Sequence, residues 1–207
     1  MADLRPGWPV VLTAGPVTVR PPRRGDAGEW SRSRLANAEW LAKWEPTSSQ
    51  SWSDRNTPQE FRRALSRLRA AARVGAMLPF VIVYGDRVVG QINASNIVRG
   101  ALRSCSVGYW IDSSVAGRGI TPTALALVID HCLGRTGLHR VEVNIRPENH
   151  ASIRVVEKLG LRREGYHERF LDIGGAWRDH LSYAITAEEV RTGTVLSRLE
   201  SLPVPPG

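Results

Sequence analysis

Between residues 104 and 132 the hydrophobic period changes from two to about 3.6, and the change takes place across two glycines. Ser104–Ile111 alternates as a strand, Ser113–Ile120 carries Gly117 and Gly119, and Thr121–Cys132 has a helical period. Thr121 is the expected N-cap of that helix and Pro122 its expected first helical residue. A strand that runs through a short glycine loop into a helix leaves main-chain N–H groups at the helix start, where the dipole favours an anion.

Three phosphate-binding chemistries compete for such a loop. A Walker loop is excluded, because Gly-Lys-Ser/Thr occurs nowhere in the chain. A dinucleotide fingerprint fails as well: Gly117 and Gly119 fit, but Pro122 occupies the third glycine position, and the strand pattern is wrong for a doubly wound parallel sheet. A pyrophosphate held on one strand–loop–helix unit without metal machinery remains, and coenzyme A suits it. Taken alone, the two glycines are equally compatible with a turn that only links two elements.

The rest of the chain alternates between the same two periods. Val17–Arg20 is a short strand stopped by Pro21 and Pro22. Asp26 is placed to cap a helix running to about Leu41, with Trp30 and Leu35 on its apolar side. A polar loop around Trp44, Pro46 and Trp52 follows. From Pro58 a second helix sets Phe61, Leu65, Leu68 and Ala72 on one face, with five arginines mostly off it. Leu78–Tyr84 and Val88–Asn96 flank Gly85-Asp86-Arg87 as a hairpin. Arg140–Ile145 is a short strand, Asn149–Leu159 a helix ending at Gly160, and Arg163–Ile173 with Trp177–Ile185 a long hairpin around Gly174-Gly175. Thr186-Ala-Glu-Glu189 matches a capping box. This order predicts an α+β fold, an α/β/α sandwich with a mostly antiparallel central sheet and helices on both faces. The expected domain is single and spans residues 10–195, with flexible termini at 1–9 and 196–207.

At 207 residues and 42% hydrophobic content the chain can build an ordinary core. No apolar run is long enough to cross a bilayer, and the first ten residues lack the apolar stretch of a secretory signal. The chain is therefore read as cytoplasmic, with no membrane partner. Cys105 and Cys132 are its two cysteines, which excludes a disulfide scaffold and a cysteine-based zinc site. The five histidines show no ligand spacing, and no metal is expected. The net charge is +8, and apart from Lys43 and Lys158 every one of the 28 cationic side chains is arginine. Either a bias toward arginine or a surface that meets phosphates would produce this, and the arginines are spread along the chain with no basic tail.

Several motifs stand in a fixed order: Trp44-Glu45-Pro46, Ser95–Gly100, Gly108-Tyr109, the glycine loop, Asn149-x-x-Ser152, Gly160–Tyr166 and Gly175–His180. In this arrangement the chain resembles the GNAT acetyltransferase family, and within it the RimJ/RimL branch, nearer its RimJ side, over about residues 10–187. The family's loop pattern, Gln/Arg-x-x-Gly-x-Gly/Ala, falls on Ala116, Gly119 and Thr121; the first and last of these depart from it.

The resemblance implies the GNAT fold, acetyl-CoA as co-substrate, no metal, and transfer of an acetyl group to the N-terminal α-amine of a ribosomal protein in a direct ternary complex. It implies that Ile111 offers its main-chain N–H to the thioester oxygen. Gly117, Arg118, Gly119, Ile120, Thr121 and Thr123 would meet the pyrophosphate, and Asn149 the pantetheine arm. Many members carry a tyrosine acid four residues past Ser152, but Val156 stands there. Ser152, the branch's proposed donor, is then the candidate acid and a cofactor contact, and Glu164 the candidate base. The position of a second family base glutamate holds Asn144, which can bind but not take a proton at neutral pH. Trp44, Glu45, Asn93, Tyr109 and Asn144 are the candidate acceptor-binding residues. Two other readings stand beside this one: a small-molecule amine acetyltransferase acting on an aminoglycoside or polyamine, and a weakly catalytic protein that docks on ribosomes or RNA through its arginines.

Overall fold

The computed structural model describes residues 7–200. Eight strands form one sheet in the order β1-β2-β3-β4-β5-β6-β8-β7. They are β1 (Leu12–Ala14), β2 (Val17–Arg20), β3 (Leu78–Tyr84), β4 (Arg87–Val98), β5 (Ser104–Ile111), β6 (Arg140–Ile145), β7 (Arg162–Ile173) and β8 (Ala176–Thr186). The helices are α1 (Ala27–Ala36), α2 (Ala38–Leu41), α3 (Trp52–Arg55), α4 (Pro58–Arg73), α5 (Ile120–Leu133), α6 (His150–Lys158) and α7 (Ser197–Glu200). The expected α+β sandwich is the observed one. Every neighbouring pair of strands is antiparallel except β5 and β6.

That one parallel pair positions the site. Its ladder covers only Ser104–Ser106 against Arg140–Glu142, and beyond it β5 and β6 part. Val107–Ile111 then has a partner strand on the β4 side alone. The close approach of β4 to β5 depends on Gly90, where a Cβ would stand 2.4 Å from the carbonyl oxygen of Trp110. Only glycine lets the two backbones meet there.

The main core lies between the sheet and α5 with α6. Leu78, Phe80, Ile82, Ile92, Leu125, Ile129 and Ile185 are fully buried in it. On the opposite face, Ala27 of α1 packs with Phe61 and Leu65 of α4, and Trp30 covers them. The α4 stripe is as expected, and Thr57 caps this helix by accepting from the N–H of Glu60 at 3.2 Å.

Four local expectations change. The helix expected to run from Asp26 to Leu41 breaks at Asn37, which caps the end of α1 with its N–H and starts α2. On α1, Leu35 faces solvent while Ser31, Ser33 and Arg34 are buried. The N-cap of α5 is Gly119, not Thr121, because its left-handed φ of 77° turns the chain into the helix. Thr121 and Pro122 therefore sit inside the first turn. The loop around Trp52 contains the single turn α3, capped by Ser51.

Packing also reaches past residues 10 and 195. Trp8 donates from Nε1 to the oxygen of Pro79 at 3.1 Å, and Leu196 and Leu199 join the main core. The rest of the expected flexible termini, residues 1–6 and 201–207, lies outside the described residues. Among the described residues, no helix is long and apolar enough to cross a membrane.

Candidate active site

Where β5 and β6 separate, the structure opens a cleft of about 750 Å³. One wall is the start of α5: Gly117, Gly119, Ile120, Thr121 and Pro122 line it, continued by Asn149, Ser152, Arg154 and Lys158 of the α6 segment. Opposite stands an aromatic mouth made by Trp30, Trp40, Trp44 and Trp110, with Glu45, Gln91 and Asn93 among them. Tyr109 and Ile111 of β5 lie between the two.

The α5 wall suits an anion. Gly117 and Gly119 both have positive φ, and a Cβ on either would meet nothing within 4 Å, so the loop stays open to a large ligand. The N–H of Thr123 is already bonded to the oxygen of Gly119, and its hydroxyl donates to the same oxygen at 2.9 Å. Thr123 is thereby turned to its own helix and does not line the cleft. Nor does Arg118, whose side chain is exposed. The anion-facing part of the loop is narrower than expected, and Arg154 and Lys158 of the α6 segment, which carry no motif in the sequence, line the same cleft.

Asn149 caps α6, its Oδ1 accepting from the N–H of Ser152 at 3.1 Å. This fixes the first turn and sets Ser152 against β5. Tyr109 closes the contact, donating from Oη to the main-chain oxygen of Ser152 at 3.4 Å. Burial pushes the Tyr109 phenol above its ordinary range, against the opposing effect of its Ser152 contact, so it stays protonated.

The aromatic mouth is tied down from three directions. Trp40 donates from Nε1 to the oxygen of Ile111 at 3.2 Å, and Trp30 to Gln91 Oε1 at 3.0 Å. Thr47, beyond Trp44 and Glu45, bonds the tip of the β7–β8 hairpin: its N–H donates to the Asp172 oxygen at 2.9 Å, and its hydroxyl accepts from the N–H of Gly175 at 2.8 Å. Arg146, just past β6, donates to the oxygen of Lys43 at 2.9 Å and lies over the Trp44 ring. Asp112, at the end of β5, accepts from the N–H of Ser114 at 3.0 Å and from the hydroxyl of Ser33 at 2.8 Å. Burial acts to raise its carboxyl, but these bonds outweigh it and hold the group below its usual range.

Two further expected residues are not brought to the cleft. Glu164 does not line it; Arg140 and Arg162 hold its carboxylate. Through β8, Arg163 and Gly165 fall level with Val143 and Asn144 of β6, and β6 and β8 stand between this segment and β5. The hydrogen bond from Arg140 leads the causes that lower the Glu164 carboxyl below its ordinary range, which makes it a poor proton acceptor. In this arrangement Glu164 is paired with arginines and is not turned to the cleft. Asn144 does not line the cleft either, although it sits on β6 beyond the ladder, and its Oδ1 is buried with no hydrogen-bond partner.

Glu45 is the one carboxylate among the residues lining the cleft. Arg34 grips it, and Arg55 approaches its second oxygen at 3.7 Å. Arg34 and Trp110 were missed in the sequence, where neither stands in a motif. Among the described residues, no group of three or more His, Cys, Asp or Glu could hold a metal ion.

Residues 17–162 match the family described as Acetyltransferase (GNAT) domain. The [Ribosomal protein uS5]-alanine N-acetyltransferase of Escherichia coli (strain K12) is 30% identical over 186 residues, 89% of this chain and 94% of that protein. The solved structure of Mycobacterium smegmatis RimJ in complex with CoA-disulfide is 44% identical, with a TM-score of 0.91 over 94% of this chain and 95% of that one. The Probable N-acetyltransferase YjcK of Bacillus subtilis (strain 168) is 39% identical over 100 residues; the match spans 48% of this chain and 55% of that protein.

Proposed function

The chain belongs to the GNAT acetyltransferase family, and from that premise we propose that it moves an acetyl group from acetyl-CoA to the N-terminal α-amine of a ribosomal protein. The observation that carries this reading is the single cleft at the parting of β5 and β6, with an anion-ready helix start on one wall and a carboxylate among tryptophans on the other. The near full-length similarity to the uS5-alanine enzyme and to RimJ supports the acceptor class.

The cleft residues fit acetyl-CoA. Gly117, Gly119, Ile120 and Thr121 face the pyrophosphate, Arg154 and Lys158 add charge, and Asn149 meets the pantetheine arm. The main-chain N–H of Ile111 polarises the thioester carbonyl. Both substrates lie in the cleft together, so transfer is direct.

An α-amine has a pKa of about 7.7–8.0, against about 10.4 for lysine, so a useful fraction is neutral without a strong base. This matters because Glu164 stands elsewhere. Glu45 receives the amine, with Trp44, Asn93 and Tyr109 around it, and the neutral form attacks the carbonyl carbon. As the C–S bond breaks, the Ser152 hydroxyl gives its proton to the departing sulfur and recovers one from the acylated nitrogen. The exposed Arg62, Arg67 and Arg73 of α4 meet ribosomal RNA phosphates and bring the acceptor close.

Mass spectrometry tests this. The protein is incubated with acetyl-CoA and peptides that begin with Ala or Ser and carry one internal lysine, with polyamine and aminoglycoside in parallel. Acetylation of the α-amine alone is expected. Transfer to a small amine and to no peptide overturns the reading in favour of a small-molecule enzyme.

A further inference from the structure

We propose that Arg34 is a positioning residue for the acceptor amine: it holds Glu45 at the mouth of the cleft with one carboxylate oxygen committed and the other left for the substrate. The proposal rests on the reading of Glu45 given above.

Arg34 is 4% exposed, on a helix whose neighbouring Leu35 faces water. A buried guanidinium needs partners on every edge, and replacing such an ion pair with apolar side chains commonly stabilises a fold. Its burial among fixed partners points to geometry. Nε donates to Asn56 Oδ1 at 2.8 Å, and Nη1 donates to Glu45 Oε1. Three indoles surround the plane, Trp30 at 5.4 Å, Trp52 at 4.6 Å and Trp110 at 5.2 Å from their ring centres.

The cage is closed on itself. Trp52 Nε1 donates to the oxygen of Arg34 at 3.0 Å, Asn56 Nδ2 to the oxygen of Trp52 at 2.8 Å, and Ser31 Oγ to the oxygen of Asn56 at 2.6 Å. The guanidinium cannot swing, so neither can the Glu45 oxygen it holds. Glu45 Oε2, 3.7 Å from Arg55 Nη1, takes no hydrogen bond among the described residues. Ion-paired at that distance with Arg55 but not hydrogen-bonded, this oxygen is the one an ammonium would meet. A lysine at position 34 would supply the charge but not the two-edged fork that reaches Asn56 and Glu45 together.

The test is steady-state acetyl transfer by the full chain to an Ala-initiated peptide, comparing Arg34→Gln, Arg34→Lys, Glu45→Gln and the Arg34→Gln/Glu45→Gln pair. Arg34→Gln is expected to raise the peptide KM about tenfold, with kcat within about threefold and the KM for acetyl-CoA unchanged. Arg34→Lys is expected not to rescue, and the pair to be no worse than Glu45→Gln alone. Multiplying effects, or a parallel rise in the acetyl-CoA KM, overturn the proposal, since Arg34 would then touch substrate itself or only support the fold. A peptide KM raised by Glu45→Gln but not by Arg34→Gln overturns the positioning role alone. An unchanged KM in Glu45→Gln overturns the reading of Glu45 and the role of Arg34 with it. Should Arg34→Gln fold poorly, Asn56→Ala frees one edge of the guanidinium and keeps its charge. It is expected to raise the peptide KM only while Glu45 is present; a rise that persists in Glu45→Gln overturns the proposal.

Discussion

Glu164 on β7 accepts from Arg140 on β6 through both arms of the guanidinium, Nη1 at 3.2 Å and Nη2 closer still. The contact staples β7 to β6 across β8, which lies between them. Glu164→Gln is expected to leave acetyl transfer within about twofold of wild type and to lower stability. The sign follows from its carboxyl, which the Arg140 hydrogen bond holds below its ordinary value. The stabilisation is present above the ordinary glutamate range, near 4.3, and is lost as pH falls through the lower folded value. Thermal melts of both proteins at pH 7 and below 4 check this; a hundredfold loss of kcat would restore Glu164 to the chemistry.

Ser152→Ala removes the hydroxyl assigned to the leaving sulfur. The expected loss in kcat is about a hundredfold or more, the usual scale for a positioned proton donor. The N–H that Asn149 accepts from is main chain, so the start of α6 and the KM for acetyl-CoA are expected to persist. Retained kcat would limit Ser152 to a packing role.

Gly119 separates strain from charge. Its φ of 77° suits Asn and Asp better than other side chains, and a Cβ there meets nothing within 4 Å. Gly119→Asn is expected to cost about 1 kcal/mol of stability or less. Gly119→Asp should cost a similar amount but also weaken coenzyme A binding a further tenfold or so, because a carboxylate repels the anion at the helix start. Calorimetric titration reads the difference, and equal affinities would remove the phosphate from this loop.

Gly90→Ala places a methyl against the Trp110 oxygen and near Ile111. The two strands must separate, at a cost of about 1–3 kcal/mol. Because the displaced segment carries Ile111 into the cleft, kcat is expected to fall with the melting temperature. A melt unchanged within 1 °C or so would contradict the close approach.

His131 lies against Gly7, 2.7 Å from Nε2 to the oxygen, and burial lowers its pKa. His180 is lowered by burial too. In both cases the unfolded chain binds a proton that the folded chain refuses. Stability is therefore complete above about pH 6.5 and declines as pH falls toward the folded values. Urea midpoints between pH 7.5 and 5.5 should drop, and His131→Gln should flatten part of the slope.

Most elements were legible because each rests on a local rule. β5 and β6 have the expected limits, and α4 shows the expected stripe behind its Thr57 cap. The roughly tenfold gap in exposure between neighbours on α1 is different: Leu35 is exposed at 42% while Arg34 is buried at 4%, the reverse of what hydrophobicity predicts. Nothing near Arg34 in the chain announces Asn56, Glu45 and Trp110 as its partners.

The order of strands, the glycine loop and the motif series were determined by the sequence alone, since turn chemistry and hydrophobic period act over a few residues. Which charged groups face the cleft was decided by the tertiary structure. A carboxylate two residues from a tyrosine looks the same wherever its strand leads. Register along β6 sends Glu164 to Arg140 and Arg162, while a strapped loop carries Glu45 to Arg34 in the mouth. Charge pairing depends on distance in space, and that distance is fixed only when the sheet has closed.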